Sequence, residues 1–157
     1  MNTLIVYDSQ YGNTERIAQA LAGILREYGQ VQAMRVDPAQ PIDLQGTKLL
    51  IIGSPTQGWR STPAMQSFLK RLSREQLRGV AVAAFDTRFQ KPRWLTGSAA
   101  THIAKAFQRI GISPLVPPES FFVDGKEGPL LAGEQDRAAT WARMLDKMVE
   151  APQPATP

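Results

Sequence analysis

Three uninterrupted apolar runs punctuate the chain: TLIVY at residues 3–7, KLLIIG at 48–53 and VAVAAF at 80–85. None alternates with polar residues, which is the pattern of strands buried on both faces, so the runs predict a parallel sheet covered by helices. Two weaker candidates join them. QVQAMRV (30–36) alternates as an edge strand does, and a last strand falls within SPLVPPESFFV (113–123). There Pro117 and Pro118 cannot donate to a ladder, which predicts a broken or edge strand.

Between the runs, apolar residues return at helical spacing. Ile17, Leu21, Ile24 and Tyr28 recur at i, i+4, i+7 and i+11, predicting a first helix that Gly29 stops. Phe68, Leu69 and Leu72 mark a second, and Ile103, Phe107 and Ile110 stripe a third that Ser98 would cap and Gly111 would end. Ala138, Trp141, Leu145 and either Met148 or Val149 stripe a fourth. The resulting order, β-α-β-β-α-β-α-β-α with an irregular or missing crossover between Val36 and Lys48, predicts a doubly wound, three-layer α/β domain. It would span residues 1–149, and the Pro-rich end from residue 150 on is expected to be disordered.

At 157 residues and 43% hydrophobic content, the chain suffices for one compact domain with its own core and is short for two. It contains no cysteine, which excludes disulfides, thiolate metal sites and cysteine nucleophiles and agrees with a reducing cytoplasm. No apolar run approaches the roughly 20 residues of a membrane-spanning helix. A strand-like segment starts almost directly after Met1, so a soluble, cytoplasmic protein is expected. The net charge of +4 arises from scattered Lys and Arg rather than a basic block, which does not favour nucleic-acid binding. His102 is the one histidine, and it lies on an amphipathic helix without a Cys or second His to build a metal site. It reads as structural rather than as part of a Ser-His-Asp triad.

In a doubly wound sheet, ligands bind beyond the carboxyl ends of the strands, near the switch in strand order. That rule nominates SQYGNT after strand one, SPTQGWRSTPAM after strand three and DTRFQKPRWLTGSAA after strand four. The first passes directly from a buried strand into a helix, so backbone N–H groups and the positive helix end converge there, with Ser9, Asn13 and Thr14 as short donors. A phosphate would be held by neutral donors, because neither GxxxxGK[ST] nor GxGxxG is present. Taken alone, the loop fits equally well a set of hydroxyls that cap a helix. Asp8 beside it carries the wrong charge for an anion contact and is expected to cap or face away.

The run Ser9-Gln10-Tyr11-Gly12-Asn13-Thr14 resembles the [ST]-x-x-G-x-T phosphate loop of the flavodoxins and flavodoxin-like proteins. GSPTQGWRSTPAM is similar to their second flavin loop, and FDTRF with GSAATHIAKAFQRIG to the region after strand four in short-chain members. The resemblance extends to about Met148 and leaves no room for the insertion that splits the last strand of long-chain forms. It implies a five-stranded parallel sheet in the order 2-1-3-4-5 and an FMN cofactor, with the 5′-phosphate on residues 9–14 and the isoalloxazine between the second and third loops. Ser9, Asn13 and Thr14 match phosphate-binding positions, while Gln10, Tyr11 and Gly12 would contribute backbone N–H groups. Tyr11 stands where a small hydroxyl residue is frequent, and its phenol either reaches the phosphate or packs outward. Ser54 and Thr56, flanking Pro55, would address the ribityl chain or phosphate; Asp86 and Thr87 would meet the pyrimidine edge or ribityl. Gln57 occupies a position commonly Trp or Tyr, so Trp59 would stack on one flavin face and Phe89 or Trp94 on the other. Gly58 would let its peptide flip so that the carbonyl accepts from the flavin N5–H, a change glycine permits at little steric cost.

The basic balance, with a pI of about 9.7, departs from the generally acidic flavodoxins. Arg60, Arg88, Lys91 and Arg93 fall in the two flavin loops. Ringing the cofactor, they would favour the anionic reduced flavin and steer acidic proteins or anionic substrates toward it. Three functions stay open: an FMN electron carrier between redox partner proteins, an FMN-dependent NAD(P)H:quinone-type reductase, and a flavin-free regulatory member of the fold. The cofactor would do the redox chemistry in the first two, so no catalytic side chain and no metal is expected. Lack of insertions favours the carrier, Gln57 keeps the flavin-free reading open, and the absence of an Asp in IIGSP argues against a phospho-accepting receiver.

Overall fold

Residues that alternate along a doubly buried strand must face different helices, and each apolar run divides in this way. Ile5, Leu49, Ile51, Ala83 and Phe85 join Ile17, Leu21, Leu25, Ala138, Trp141 and Leu145 in one core. Leu4, Val6, Leu50, Ile52, Val82 and Ala84 join Met65, Phe68, Leu69, Ile103 and Phe107 in the other. A strand with two apolar faces is therefore the middle of a three-layer sandwich.

The computed structural model describes residues 1–37 and 39–152. Its elements in chain order are β1 (Asn2–Tyr7), α1 (Asn13–Leu25), β2 (Gln30–Arg35), β3 (Leu49–Pro55), α2 (Pro63–Lys70), β4 (Ala81–Phe89), α3 (Arg93–Thr96), α4 (Ala99–Arg109), β5 (Glu119–Val123) and α5 (Glu134–Glu150). All strand pairs are parallel, in the order β2-β1-β3-β4-β5, the doubly wound arrangement the sequence and its family resemblance predict. The chain leaves β1 toward one edge and returns to the other side of it at β3, so the switch point lies at the carboxyl ends of β1 and β3. No helix among the described residues is long and apolar enough to cross a membrane.

The crossover from β2 to β3 has no helix among the described residues, and buried Leu44 with part-buried Ile42 covers the sheet there instead. Ser98 caps α4, its hydroxyl accepting from the Thr101 N–H at 3.2 Å. Other expectations shift at element ends. Helix α1 stops at Leu25, so Tyr28 lies in the following turn, exposed. Leu72 is buried just beyond α2, and of the two alternatives on α5 it is Val149 that packs on the core while Met148 is exposed. Strand β4 continues past Phe85 to Phe89 because β5 starts only after the two prolines and needs partners that far along: Glu119 pairs with Phe85 and Val123 with Phe89. Glu150, expected at the head of the tail, ends α5, and residues 153–157 lie outside the described residues.

Candidate cofactor site

A cavity of about 710 Å³ opens at the carboxyl ends of the strands, over the switch point. Its first wall is the β1–α1 loop. Gly12 is the N-cap of α1 in a left-handed conformation (φ 89°) and has no side chain of its own to cap the helix. Ser9 Oγ accepts from the Gly12 N–H at 3.1 Å and, more distantly, from that of Glu15 at 3.4 Å. Among the described residues none accepts from the N–H groups of Gln10, Tyr11, Asn13 or Thr14. The first-turn donors of a helix have no partner within it, so this group of neutral N–H donors is left for an anion.

The loop is braced from beneath. Asp8 Oδ1 accepts from the Ser9 N–H (2.8 Å), Oδ2 accepts from the Thr62 hydroxyl (2.6 Å), and Arg35 donates to the Ser9 carbonyl (2.6 Å). Asp8 thus turns away from the anion position, as its charge requires. Thr14 and Thr87, both buried, share a hydroxyl–hydroxyl bond of 2.8 Å that ties this loop to the end of β4. Two hydroxyls in one mutual bond leave one O–H free to donate elsewhere. The Asn13 amide is committed to the Glu127 carbonyl (3.1 Å), which holds the β5–α5 loop against the first loop. Asn13 therefore faces the anion position through its backbone N–H.

The second wall is a tight reversal. Gln57 and Arg60 exchange both backbone hydrogen bonds (2.8 and 3.1 Å), and Gly58 and Trp59 between them both have positive φ, 53° and 74°. This is a type I′ turn, which glycine adopts freely and tryptophan only with strain of roughly 1 kcal/mol or more. What holds Trp59 there is a bridge to Gly97 of the third loop, where an added Cβ would come within 2.5 Å of the Trp59 Cα. Gln57, at the position where an aromatic is common, instead donates its amide to Gln10 Oε1 (2.6 Å) and joins the first two loops at the mouth.

The third wall carries charge. Arg88, nearly buried, donates to Ser120 Oγ (2.9 Å), the Lys91 carbonyl (2.6 Å) and Thr96 Oγ1 (3.2 Å), and stacks on the Phe122 ring at 5.1 Å. Burial lowers its pKa, which the Asp86 carboxylate 4.0 Å away partly opposes, so Arg88 stays a fixed cation behind the cavity wall.

Of the residues the sequence nominates, Ser9, Gln10, Tyr11, Asn13, Thr14, Pro55, Thr56, Gln57, Gly58, Trp59, Thr87 and Phe89 line this one cavity. Four do not. Gly12 shapes the turn without forming the wall, and Ser54 is fully buried, its hydroxyl accepting from the Thr62 N–H (3.1 Å). Asp86 is fully buried beneath α4, where it accepts from the Ser98 hydroxyl (2.5 Å) and the Ala100 N–H (3.0 Å), and burial raises its pKa. Trp94 projects into solvent at 75% exposure, because α3 turns its neighbours Leu95 and Thr96 to the cavity and successive helical residues point about 100° apart. Arg88 and Lys91 reach the cavity, while Arg60 and Arg93 stay outside it. Leu95, Thr96, Val123 and Lys126 complete the lining without having been nominated. Val123 follows from the same rule applied to the end of strand five, whereas Lys126 lies three residues beyond it in a loop without a motif.

His102 lies away from this cavity, its Nδ1 3.1 Å from Ser61 Oγ. Burial and the nearby Arg60, Arg109 and Lys105 lower its pKa, which keeps the ring neutral.

The flavodoxin family model matches residues 5–141. The chain belongs to the flavodoxin family. Three solved flavodoxins have its fold: one from the domain Archaea (19% identity, covering 96% of this chain and 100% of the other, TM-score 0.75), flavodoxin 2 of Bacillus cereus (20%, 94% and 99%, 0.78) and a short-chain flavodoxin associated with a bacterial microcompartment (15%, 96% and 99%, 0.75). No curated protein matches the sequence significantly. Flavodoxins are FMN-binding electron-transfer proteins. The site fits that group: free neutral donors stand in the first wall for a phosphate, and Tyr11, Trp59 and Phe89 bring aromatic rings to the lining beside Pro55, Leu95 and Val123.

Proposed function

We propose that this flavodoxin is a cytoplasmic one-electron carrier that holds FMN in the cavity over the β1–β3 switch point and exchanges electrons with redox partner proteins. The observation that carries the reading is the set of unsatisfied N–H donors of Gln10, Tyr11, Asn13 and Thr14 at the start of α1, facing a cavity lined in part by aromatic side chains. The loop 9–14 would hold the phosphate, Thr56 and Thr87 the ribityl chain, and Trp59 and Phe89 the ring. Bound FMN supplies the redox chemistry, accepting and returning electrons. The residues bind it, exclude water from its faces and leave one edge accessible, since Trp59 and Phe89 at the mouth remain 57% and 40% exposed.

Added FMN is expected to be bound with its fluorescence quenched and its visible absorption retained on gel filtration. Unchanged fluorescence would defeat the assignment. Anaerobic NADPH is expected to bleach the bound flavin only slowly; rapid bleaching would replace the carrier by a reductase.

Arg88, Lys91 and Lys126 at the cavity wall put positive charge beside the cofactor position, which stabilises an anionic reduced flavin and raises the potential of the step that forms it. Lys126→Gln is expected to lower that potential by about 20–60 mV, on the scale of about 59 mV per tenfold change in a one-electron equilibrium. A spectroelectrochemical titration of wild type and variant measures it, and an unshifted potential would mean that Lys126 is screened from the flavin.

A further inference from the structure

Five of the eight large apolar side chains exposed among the described residues gather on the loops around the cavity mouth: Tyr11, Trp59, Phe89, Trp94 and Leu95. Exposed apolar residues scattered singly need no explanation, but aromatic side chains and arginine concentrated in one place are the composition of an interface centre. Neither the turn at residues 56–62 nor the segment 87–98 contains an acidic residue, and they hold Arg60, Arg88, Lys91 and Arg93. Arg60, Lys91 and Arg93 are exposed, and none of the three is in an ion pair among the described residues. The Trp59–Gly97 bridge fastens the turn to the segment, so aromatics and cations form one continuous surface.

Resting on the reading of an FMN carrier, we propose that this surface docks a redox protein whose own electron-transfer face is acidic. Its charge selects carboxylates and repels a second copy of the chain. Its extent selects a protein over a small anionic donor, because Trp94, Arg60 and Arg93 lie outside the cavity and widen the surface beyond it. The exchange is a single electron passing from the partner's reduced centre to FMN, with no bond made or broken.

Stopped-flow mixing of the oxidised FMN form with a chemically reduced, acidic [2Fe–2S] ferredoxin tests this, with the reduced FMN form mixed with oxidised, basic cytochrome c as the opposite-charge reference. The ferredoxin rate constant is expected to fall at least about tenfold from 20 to 500 mM salt. It is expected to fall by a similar factor in Arg60→Glu/Arg93→Glu at low salt, with FMN affinity and flavin spectrum unchanged. Trp94→Ala is expected to slow it further at high salt, where steering no longer contributes. A ferredoxin rate indifferent to salt and to the charge reversal overturns the proposal, as does a cytochrome rate that falls with added salt as the ferredoxin rate is expected to. Doubling of the sedimenting mass, abolished by the same reversal, would assign the surface to self-association instead. If FMN does not bind, the carrier reading fails by its own test. The docking surface is then decided by titrating oxidised ferredoxin into wild-type and doubly reversed apo-protein by NMR, where equal binding of the two refutes it.

Discussion

Replacing Gly53 by alanine is expected to lower the unfolding free energy by about 3 kcal/mol, at the upper end of what overpacking a core costs. Gly53 lies in β3 between Tyr7 of β1 and Phe85 of β4. An added Cβ would fall on the Phe85 ring itself. The ring has nowhere to go, because Phe85, Phe121 and Trp141 pack edge to face with centroids 6.0 to 6.2 Å apart, and Phe85 and Phe121 are fully buried. The missing side chain in β3 is thus the space that the ring fills, and neither position is independent of the other. Urea unfolding of the apo-protein measures the loss. In the double variant Gly53→Ala/Phe85→Leu, the smaller side chain should return part of it, giving a coupling above about 1 kcal/mol for two groups in direct contact. A loss in Gly53→Ala below 1 kcal/mol would mean that the trio shifts as a unit and that the core is looser than its packing indicates. FMN affinity should fall with stability, since Ser54, one residue on, fixes Thr62 and through it the Asp8 brace of the first loop.

This coupling marks the limit of what is legible along a chain. The three apolar runs read as doubly buried strands whose loops meet at one end of a parallel sheet, so the layered α/β class and three walls of the cavity are legible from local pattern, and the strand order from the family resemblance. The fourth wall is not. Lys126 sits in a segment, Asp124 to Gly128, that has neither periodicity nor motif, and it reaches the site because Asn13 grips the Glu127 carbonyl across 114 residues. Asp86 and Ser54 mislead for the opposite reason: a polar residue at a strand's carboxyl end can serve the ligand or the next helix, and only the partners Ser98, Ala100 and Thr62 decide for the helix. Trp94 was one of two aromatics available for stacking until the single turn of α3 set its direction. Burial partners and loop-to-loop contacts are pairwise facts, and a pattern of hydrophobicity carries none of them.

FMN is expected to bind at least about 1,000-fold more tightly than riboflavin, which has the same ring and ribityl chain but no phosphate. Hydrogen bonds from neutral N–H groups to an ionised oxygen contribute about 1.5–3 kcal/mol each. Three such bonds would amount to more than the roughly 4 kcal/mol that a factor of 1,000 requires. The donors are Gln10, Tyr11, Asn13 and Thr14, fixed by Ser9 and the Asp8 brace before any ligand arrives, so little of that energy is lost in ordering the loop. Because no cation belongs to this loop's donor set, the preference should depend only shallowly on salt. It should weaken as the pH falls through about 6, where the phosphate dianion takes up a proton and becomes a monoanion. Thr14→Val keeps the buried shape but removes the Thr14 hydroxyl, one of the two joined in the Thr14–Thr87 bond. Isothermal titration should find FMN affinity reduced about tenfold, the effect of one hydrogen bond, with riboflavin affinity little changed. The competing placement puts the phosphate beside Lys126, and the two are separable. If Lys126→Gln costs more FMN affinity than Thr14→Val and steepens with falling salt, the anion lies at the β5–α5 loop and the N–H groups of α1 serve another part of the cofactor.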